Sequence, residues 1–209
     1  MALSETSICN MALAKLGAKR INNIDTDSTT EAIHCRTHYA QTRDALTRLL
    51  APAFASDRDT LSQDTVDPDF EWDNQFILPA DFLRKLSVYG DTGADLSKTR
   101  YSYAIEGERL LTNEGAIYLR YVKRVTDTSK FDPLFVEVLV LQLALKLSGP
   151  LSGGNAKLQE IIKQELGAVM SLARVVDKSE TKTKGRLDLN TWNDARVGAS
   201  GRIDSQMGS

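Results

Sequence analysis

Apolar residues recur at helical spacing in the first quarter of the chain and predict two helices there. One is expected over about residues 3–16, because Ser4 or Thr6 can cap its start and Gly17 is a natural stop. The other is expected to open with a capping box at residues 28–31 and to end before Pro52. Its apolar stripe is Ala32, Cys35, Tyr39, Thr42, Leu46 and Leu49.

Two further helices are predicted after residue 131. Asp132 and Pro133 are typical of a cap and a first turn, and the following residues up to Leu147 are apolar nearly all round before Gly149-Pro150 ends the helix. Such a helix needs neighbours on every side, which places it at the centre of a bundle and leaves some of its surface for another subunit. The candidate subunit-interface residues are Val136 and Val140. A fourth helix is expected over about residues 155–176, with one apolar side formed by Leu158, Ile161, Ile162, Leu166, Val169, Leu172, Ala173 and Val176.

Between the two helix pairs the pattern changes to short β segments. Residues 56–69 are polar without a period and are expected to form an exposed loop. Turns then separate apolar runs that predict strands, at about residues 86–89, 101–105, 109–112 and 116–125. The expected fold class is therefore mainly α. It is a four-helix bundle (1–55 and 130–178) with an inserted small antiparallel β-sheet (70–126) and a C-terminal extended tail (179–209).

The last thirty residues differ in composition from the rest of the chain. Lys, Thr, Ser, Asp and Gly dominate, so the segment has too few apolar residues to offset its ordering entropy and is expected to be mobile unless a partner holds it. Trp192 stands out there, because tryptophan is a favoured interface anchor. With Leu189 and Arg196 it forms either a short docking element or a contact that folds back on the bundle.

Composition and charge exclude several classes of protein. With 42% hydrophobic and 26% charged residues and a net charge of -2, the chain is typical of a soluble domain without a general nucleic-acid surface. Cys9 and Cys35 are too few for a disulfide scaffold and suit buried, reduced thiols. No signal peptide is visible, and the apolar run 134–147 is shorter than the roughly 20 residues that span a bilayer, so no membrane association is expected.

One spacing points to metal chemistry. Glu31, His34 and His38 lie three and four residues apart on one helix face, and two histidines with a carboxylate can form a metal site. The H-E-x-x-H signature, a nucleophile elbow and a phosphate loop are all missing from the sequence. A solvated polar face is therefore the preferred interpretation. No catalytic residue, metal or cofactor is predicted, and a metal-dependent enzyme is one alternative.

Basic residues among tyrosines favour a second alternative, a nucleic-acid-binding module. The first group is Lys98, Arg100, Tyr101, Tyr103, Tyr118, Arg120, Tyr121, Lys123 and Arg124, and a second group without tyrosines is Lys178, Lys182, Lys184 and Arg186. Acidic residues are interspersed among them, so solvated strand charges are the preferred interpretation.

Several segments, in order, resemble the tail tubular protein A type of head-to-tail adaptor from tailed phages. The run from Ile8 to Gly17 with Ile21 is similar to its opening, and the LPADFLR segment at 78–84 to its entry into a β region. The second helix is similar in Ala32, Cys35, Tyr39, Arg43-Asp44 and Leu46. The helices after residue 131 resemble its C-terminal pair, and the similarity covers about residues 5–178. Where that family often has a tryptophan before Phe-Ala, this chain has Ala51-Pro52.

The resemblance implies a structural subunit and not an enzyme. It implies a homo-oligomeric ring, typically of twelve copies, at the head–tail junction of the virion, assembled in the host cytoplasm. The ring docks beneath the portal protein, joins the tail tube or nozzle protein, and leaves a channel through which DNA passes without sequence-specific binding. Adaptor tails run along the portal, so the portal-docking candidates are Leu189, Trp192 and Arg196.

Overall fold

The predicted order of two helices, a β region and two helices is confirmed. The computed structural model describes residues 3–91, 93, 95–96 and 102–180. Its helices are α1 (Glu5–Lys15), α2 (Thr30–Leu50), α3 (Pro133–Leu151) and α4 (Ala156–Glu180). Its strands are β1 (Ser56–Thr60), β2 (Asn74–Ile77), β3 (Phe82–Tyr89), β4 (Ala104–Glu106), β5 (Arg109–Thr112) and β6 (Tyr118–Lys123).

The fold class is mixed α/β, so the prediction of a mainly α bundle with one small sheet was wrong. The six strands of the described residues form two three-stranded antiparallel sheets, with strand orders β1-β6-β3 and β2-β5-β4. A second apolar core, separate from that of the helices, includes Val88, Leu119, Phe76 and Leu110 and so joins the two sheets. Because each sheet has its own strand pairing and the two share a core, the β region is a packed layer of its own.

Strand β1 lies in the segment that was predicted to be an exposed loop. Its sequence, Ser-Asp-Arg-Asp-Thr, has no apolar alternation to mark a strand. It pairs with β6 residue for residue, from Ser56 opposite Val122 to Thr60 opposite Tyr118. The β region therefore begins at residue 56, and backbone hydrogen bonds to a distant strand hold its first member.

Local capping chemistry sets the start of each of the first two helices. The Ser7 amide donates to the Ser4 hydroxyl at 3.1 Å and caps α1, and Gly17 adopts a left-handed φ of 67° just after it, as predicted. Helix α2 is capped by Thr29 and not by the expected box that opens at residue 28. The Thr29 hydroxyl accepts a hydrogen bond from the Ala32 amide at 3.3 Å.

Helix α3 begins where predicted and ends later. The Asp132 carboxylate accepts hydrogen bonds from the amides of Leu134 and Phe135, at 2.8 and 3.3 Å. The helix was expected to stop at Gly149-Pro150 but runs to Leu151. A proline in the last turn removes a single backbone hydrogen bond, so it does not break the helix upstream.

The central position predicted for α3 is confirmed by its packing against α1, α2 and α4. Among the described residues it is the one helix that length and composition would allow to cross a membrane, with a mean hydropathy of 1.7. Half of that helix is buried inside the fold, including Leu139, Leu143 and Leu147. Such burial is typical of a helix at the centre of a packed domain.

The first sheet is docked onto the helices through the second half of α2. The Arg124 guanidinium pairs with the Asp44 carboxylate at 2.9 Å, and Arg48 donates to the Leu83 carbonyl of β3. Leu83 and Val122 are buried in the same core as the helices. Helices and sheet therefore share both an apolar core and polar contacts.

Candidate subunit interface

Helix α4 carries apolar residues on more of its circumference than its own fold uses. Ile162, Leu166 and neighbouring residues face the helical core. Ile161, Leu172 and Val175 are 52%, 52% and 65% exposed. These three residues are called the α4 stripe below. Their spacing of eleven and three residues places them along one flank of the helix. Nothing within the described subunit covers this flank.

The α4 stripe lies on the side of the helix that faces α1. Glu165 is four residues after Ile161 and seven before Leu172, so all three share a flank. The Glu165 carboxylate pairs with the Lys15 ammonium of α1 at 2.5 Å. This ion pair bridges α1 and α4 across one side of α3.

An apolar groove lies between α1 and α3 on the same side of the subunit. Met11, which precedes Lys15 by one turn, is 40% exposed at its edge. Val136 is half-buried in its wall, and Val140 is only 4% exposed at its base. We call this feature the α1/α3 groove; together with the α4 stripe it forms one apolar side of the helical layer.

A second apolar depression lies where the C-terminal end of α2 meets the start of α3 and the last turns of α4. It is lined by Leu50, Pro52, Ala53, Phe54, Lys130, Phe131, Asp132, Leu134, Phe135, Ala173, Arg174 and Val176. Three of its phenylalanines pack ring against ring, with centroids 5.1–5.6 Å apart. This α2/α3 depression is built on different residues from the α1/α3 groove, so the subunit has two separate apolar surfaces.

The two residues predicted at the subunit interface differ in how far they are exposed. Val136 borders the α1/α3 groove, whereas Val140 is not an outward residue because it lies at the base of that groove and is only 4% exposed. Ile161 and Leu172 were placed on the packed side of α4 by the sequence pattern and are half-exposed instead. The apolar residues of α4 cover a wider sector of the helix than one partner helix can bury, and that width was the sequence signal for a second contact surface.

An ion cluster around the buried side chain of Arg43 joins α1 to α2. The Arg43 side chain is 6% exposed, with its Nε 2.8 Å from an Asp44 oxygen and one NH group 3.6 Å from a Glu5 oxygen. Burial raises the pKa of Glu5, and the Arg43 charge opposes that shift. Burial likewise raises the pKa of Tyr39, whose hydroxyl has no hydrogen-bond partner among the described residues. The Glu5 and Asp44 side chains are 37% and 24% exposed, so the cluster consists of one buried cation and two part-exposed carboxylates that tie α1 to α2.

The candidate metal face and the cysteines carry little chemistry in the described part of the chain. No group of three His, Cys, Asp or Glu residues there could hold a metal ion, and this includes Glu31, His34 and His38. Cys9 and Cys35 are free and buried. A hydrogen bond to Cys35, and then burial, raises the pKa of Cys9, so its thiol stays protonated.

Two of the basic residues considered for nucleic-acid binding are already paired. Lys123 lies 2.6 Å from Asp57, and Arg124 pairs with Asp44. Tyr121 is buried and its hydroxyl donates to Asp81 at 3.1 Å. Lys98, Arg100 and Tyr101, and the portal-docking candidates Leu189, Trp192 and Arg196, lie outside the described residues.

A scan against models of protein families found no match, and a search of curated protein sequences found none either.

Proposed function

We propose that this chain is a structural subunit of a head-to-tail adaptor ring in a tailed-phage virion. The ring lies between portal and tail and leaves a channel for DNA. The observation that carries the proposal is the α4 stripe of Ile161, Leu172 and Val175, an apolar flank that the subunit fold does not use. Large apolar side chains exposed along one helix flank are typical of a protein–protein contact.

Two separate apolar surfaces favour a ring over a two-fold dimer. A ring uses a head-to-tail contact, in which one patch of a subunit meets a different patch of its neighbour. The α4 stripe with the α1/α3 groove supplies one patch, and the α2/α3 depression lined by Phe54 and Phe131 supplies the other. A two-fold dimer needs a single self-complementary patch.

The resemblance to adaptor proteins and the chemistry of the described residues support the same class. The buried Arg43 cluster and the protonated Cys9 have structural explanations, and the Glu31, His34 and His38 face forms no metal-binding group. A metal-dependent enzyme therefore gains no support from the described residues. Fold resemblance alone would be weak support for function, so the apolar surfaces carry the argument.

Mass measurement of the intact protein tests the proposal. Native mass spectrometry and sedimentation velocity are run on the purified chain alone and mixed with the portal protein from the same virus. We expect a closed oligomer, or a defined multiple of subunits bound to the portal. A chain that stays monomeric at every concentration and does not bind the portal would contradict the adaptor role.

A further inference from the structure

Two arginines lie directly opposite each other on the first sheet. Arg58 of β1 and Arg120 of β6 are register partners, so their Cβ atoms are about 5 Å apart. The helices cover this face of the sheet at Val122 but leave Arg120 half-exposed and Tyr118 45% exposed. Like charges placed opposite each other destabilise a strand pair. The arrangement therefore costs the sheet stability unless something anionic lies between the arginines.

The surroundings of the two arginines form an open depression. It is lined by Arg58, Asp59, Thr60, Tyr89, Tyr118, Leu119 and Arg120. Two arginines and one aspartate give it a formal charge of +1. Neither guanidinium has a carboxylate partner in the described part of the chain, whereas Lys123 and Arg124 just beyond the strand are both paired. The depression thus keeps its positive charge available.

Tyrosines form the next row of the same face. Tyr118 is opposite Thr60 on one side and Tyr89 on the other, two residues from the arginine row and so about 6.8 Å along the strands. Tyr118 presents an exposed ring beside the guanidinium groups. Alternating arginines and exposed aromatic rings on a sheet are typical of surfaces that bind unpaired nucleic acid.

Strand β1 contributes little to any apolar core. Its five residues are polar, and its last three are exposed. Burial therefore does not explain why this strand has an arginine opposite Arg120. A surface role is the remaining reason for that residue type at that place.

We propose that this depression binds the phosphodiester backbone of a single-stranded nucleic acid. Arg58 and Arg120 contact phosphate oxygens through their guanidinium groups, and Tyr118 stacks on an unpaired base. With only two phosphate contacts the site binds weakly and is sensitive to salt. It is a property of one subunit and does not depend on the adaptor ring.

Fluorescence anisotropy with a labelled oligothymidine tests the site on the full-length protein. Two phosphate contacts to a single strand predict a slope of about -1.4 for the logarithm of affinity against the logarithm of salt concentration. Arg58→Gln and Arg120→Gln should each reduce that slope to about -0.7 and weaken binding at low salt. Tyr118→Ala should weaken binding without changing the slope. Arg20→Gln, an exposed arginine between α1 and α2, removes the same charge and should have no effect.

Several outcomes would overturn the proposal. Equal losses in Arg20→Gln and Arg58→Gln would mean diffuse attraction and no site. Displacement of the oligothymidine by polyglutamate at the same concentration would assign the surface to an acidic protein. Equal affinity for duplex DNA, with no effect of Tyr118→Ala, would remove the stacking contact.

Stability provides an independent readout of the like-charge pair. Because each arginine is repelled by the other, Arg58→Gln and Arg120→Gln should melt at or above the temperature of the unchanged protein. A lower melting temperature in both would show that the arginines support the sheet and are not held for a ligand. Binding and melting are both measured on the protein alone, so failure of ring assembly leaves this test unaffected.

Discussion

Replacing Leu172 by glutamate should block assembly and leave the subunit folded. Leu172 is 52% exposed, so about half of its side chain is available to a partner. Complete burial of a leucine contributes roughly 1.5–3 kcal/mol, and the exposed half therefore contributes about 1 kcal/mol to a subunit contact. Ile161 and Val175 are exposed to a similar or greater extent, so the α4 stripe as a whole contributes about 3 kcal/mol.

The glutamate costs more than the lost apolar contact. A carboxylate placed in an apolar interface also loses hydration, which adds roughly 1–3 kcal/mol if no partner is found. Each contact should therefore weaken by about 2–4 kcal/mol, or roughly 30- to 1000-fold in its dissociation constant. In the isolated subunit the change removes only the half of the leucine that is buried and should lower the free energy of unfolding by about 1 kcal/mol.

Sedimentation velocity over a range of concentrations, combined with urea unfolding, measures both effects. Gly167→Glu is the matched control, because it adds the same charge to α4 at an exposed position with open space around it, five residues away and about 140° around the helix from Leu172. It should assemble like the unchanged protein. Identical assembly of Leu172→Glu and the control would refute the interface. A loss of several kcal/mol in the unfolding of Leu172→Glu would instead place that residue in the core.

Three further predictions address the core, the ion cluster and the tail. Val140→Glu buries a charge and should destabilise the subunit by about 3 kcal/mol or more in urea unfolding, whereas Val136→Glu should stay folded and assemble poorly; equal stability of the two variants would be inconsistent with the burial of Val140. Arg43→Ala removes the buried cation between Glu5 and Asp44, and because both carboxylates are part-exposed and Asp44 keeps Arg124, it should cost about 1–3 kcal/mol at pH 7, measured against Arg43→Lys, which keeps the charge; an unchanged free energy of unfolding would mean that water replaces the guanidinium. Deleting residues 181–209 should leave a folded subunit that binds the portal weakly in a surface binding assay, and Trp192→Ala should reproduce much of that loss; an unfolded truncated chain, or one with full affinity, would rule out the docking role.

Local interactions explain how much of the fold could be predicted from sequence. The stretches that became α1, α2, α3 and α4 each have apolar residues at helical spacing, and a cap such as Ser4 or Asp132 acts within three or four residues of its own position. The central place of α3 follows from its composition, because an apolar surface on all sides must be covered. These features depend on residues that are close together in the sequence, so they can be predicted from it.

Long-range pairing decided what the sequence pattern did not show. The polar β1 is a strand only because β6, about sixty residues later, supplies its hydrogen-bond partners, and the same pairing brings Arg58 opposite Arg120. Whether Val140 is buried depends on where α1 lies, and whether Leu172 is exposed depends on how α4 rests on α3. The sequence by itself determined which residues are apolar and which segments are helices. The tertiary structure alone decided which apolar faces remain open to a partner, because exposure is set by the elements that pack nearby and not by the residue itself.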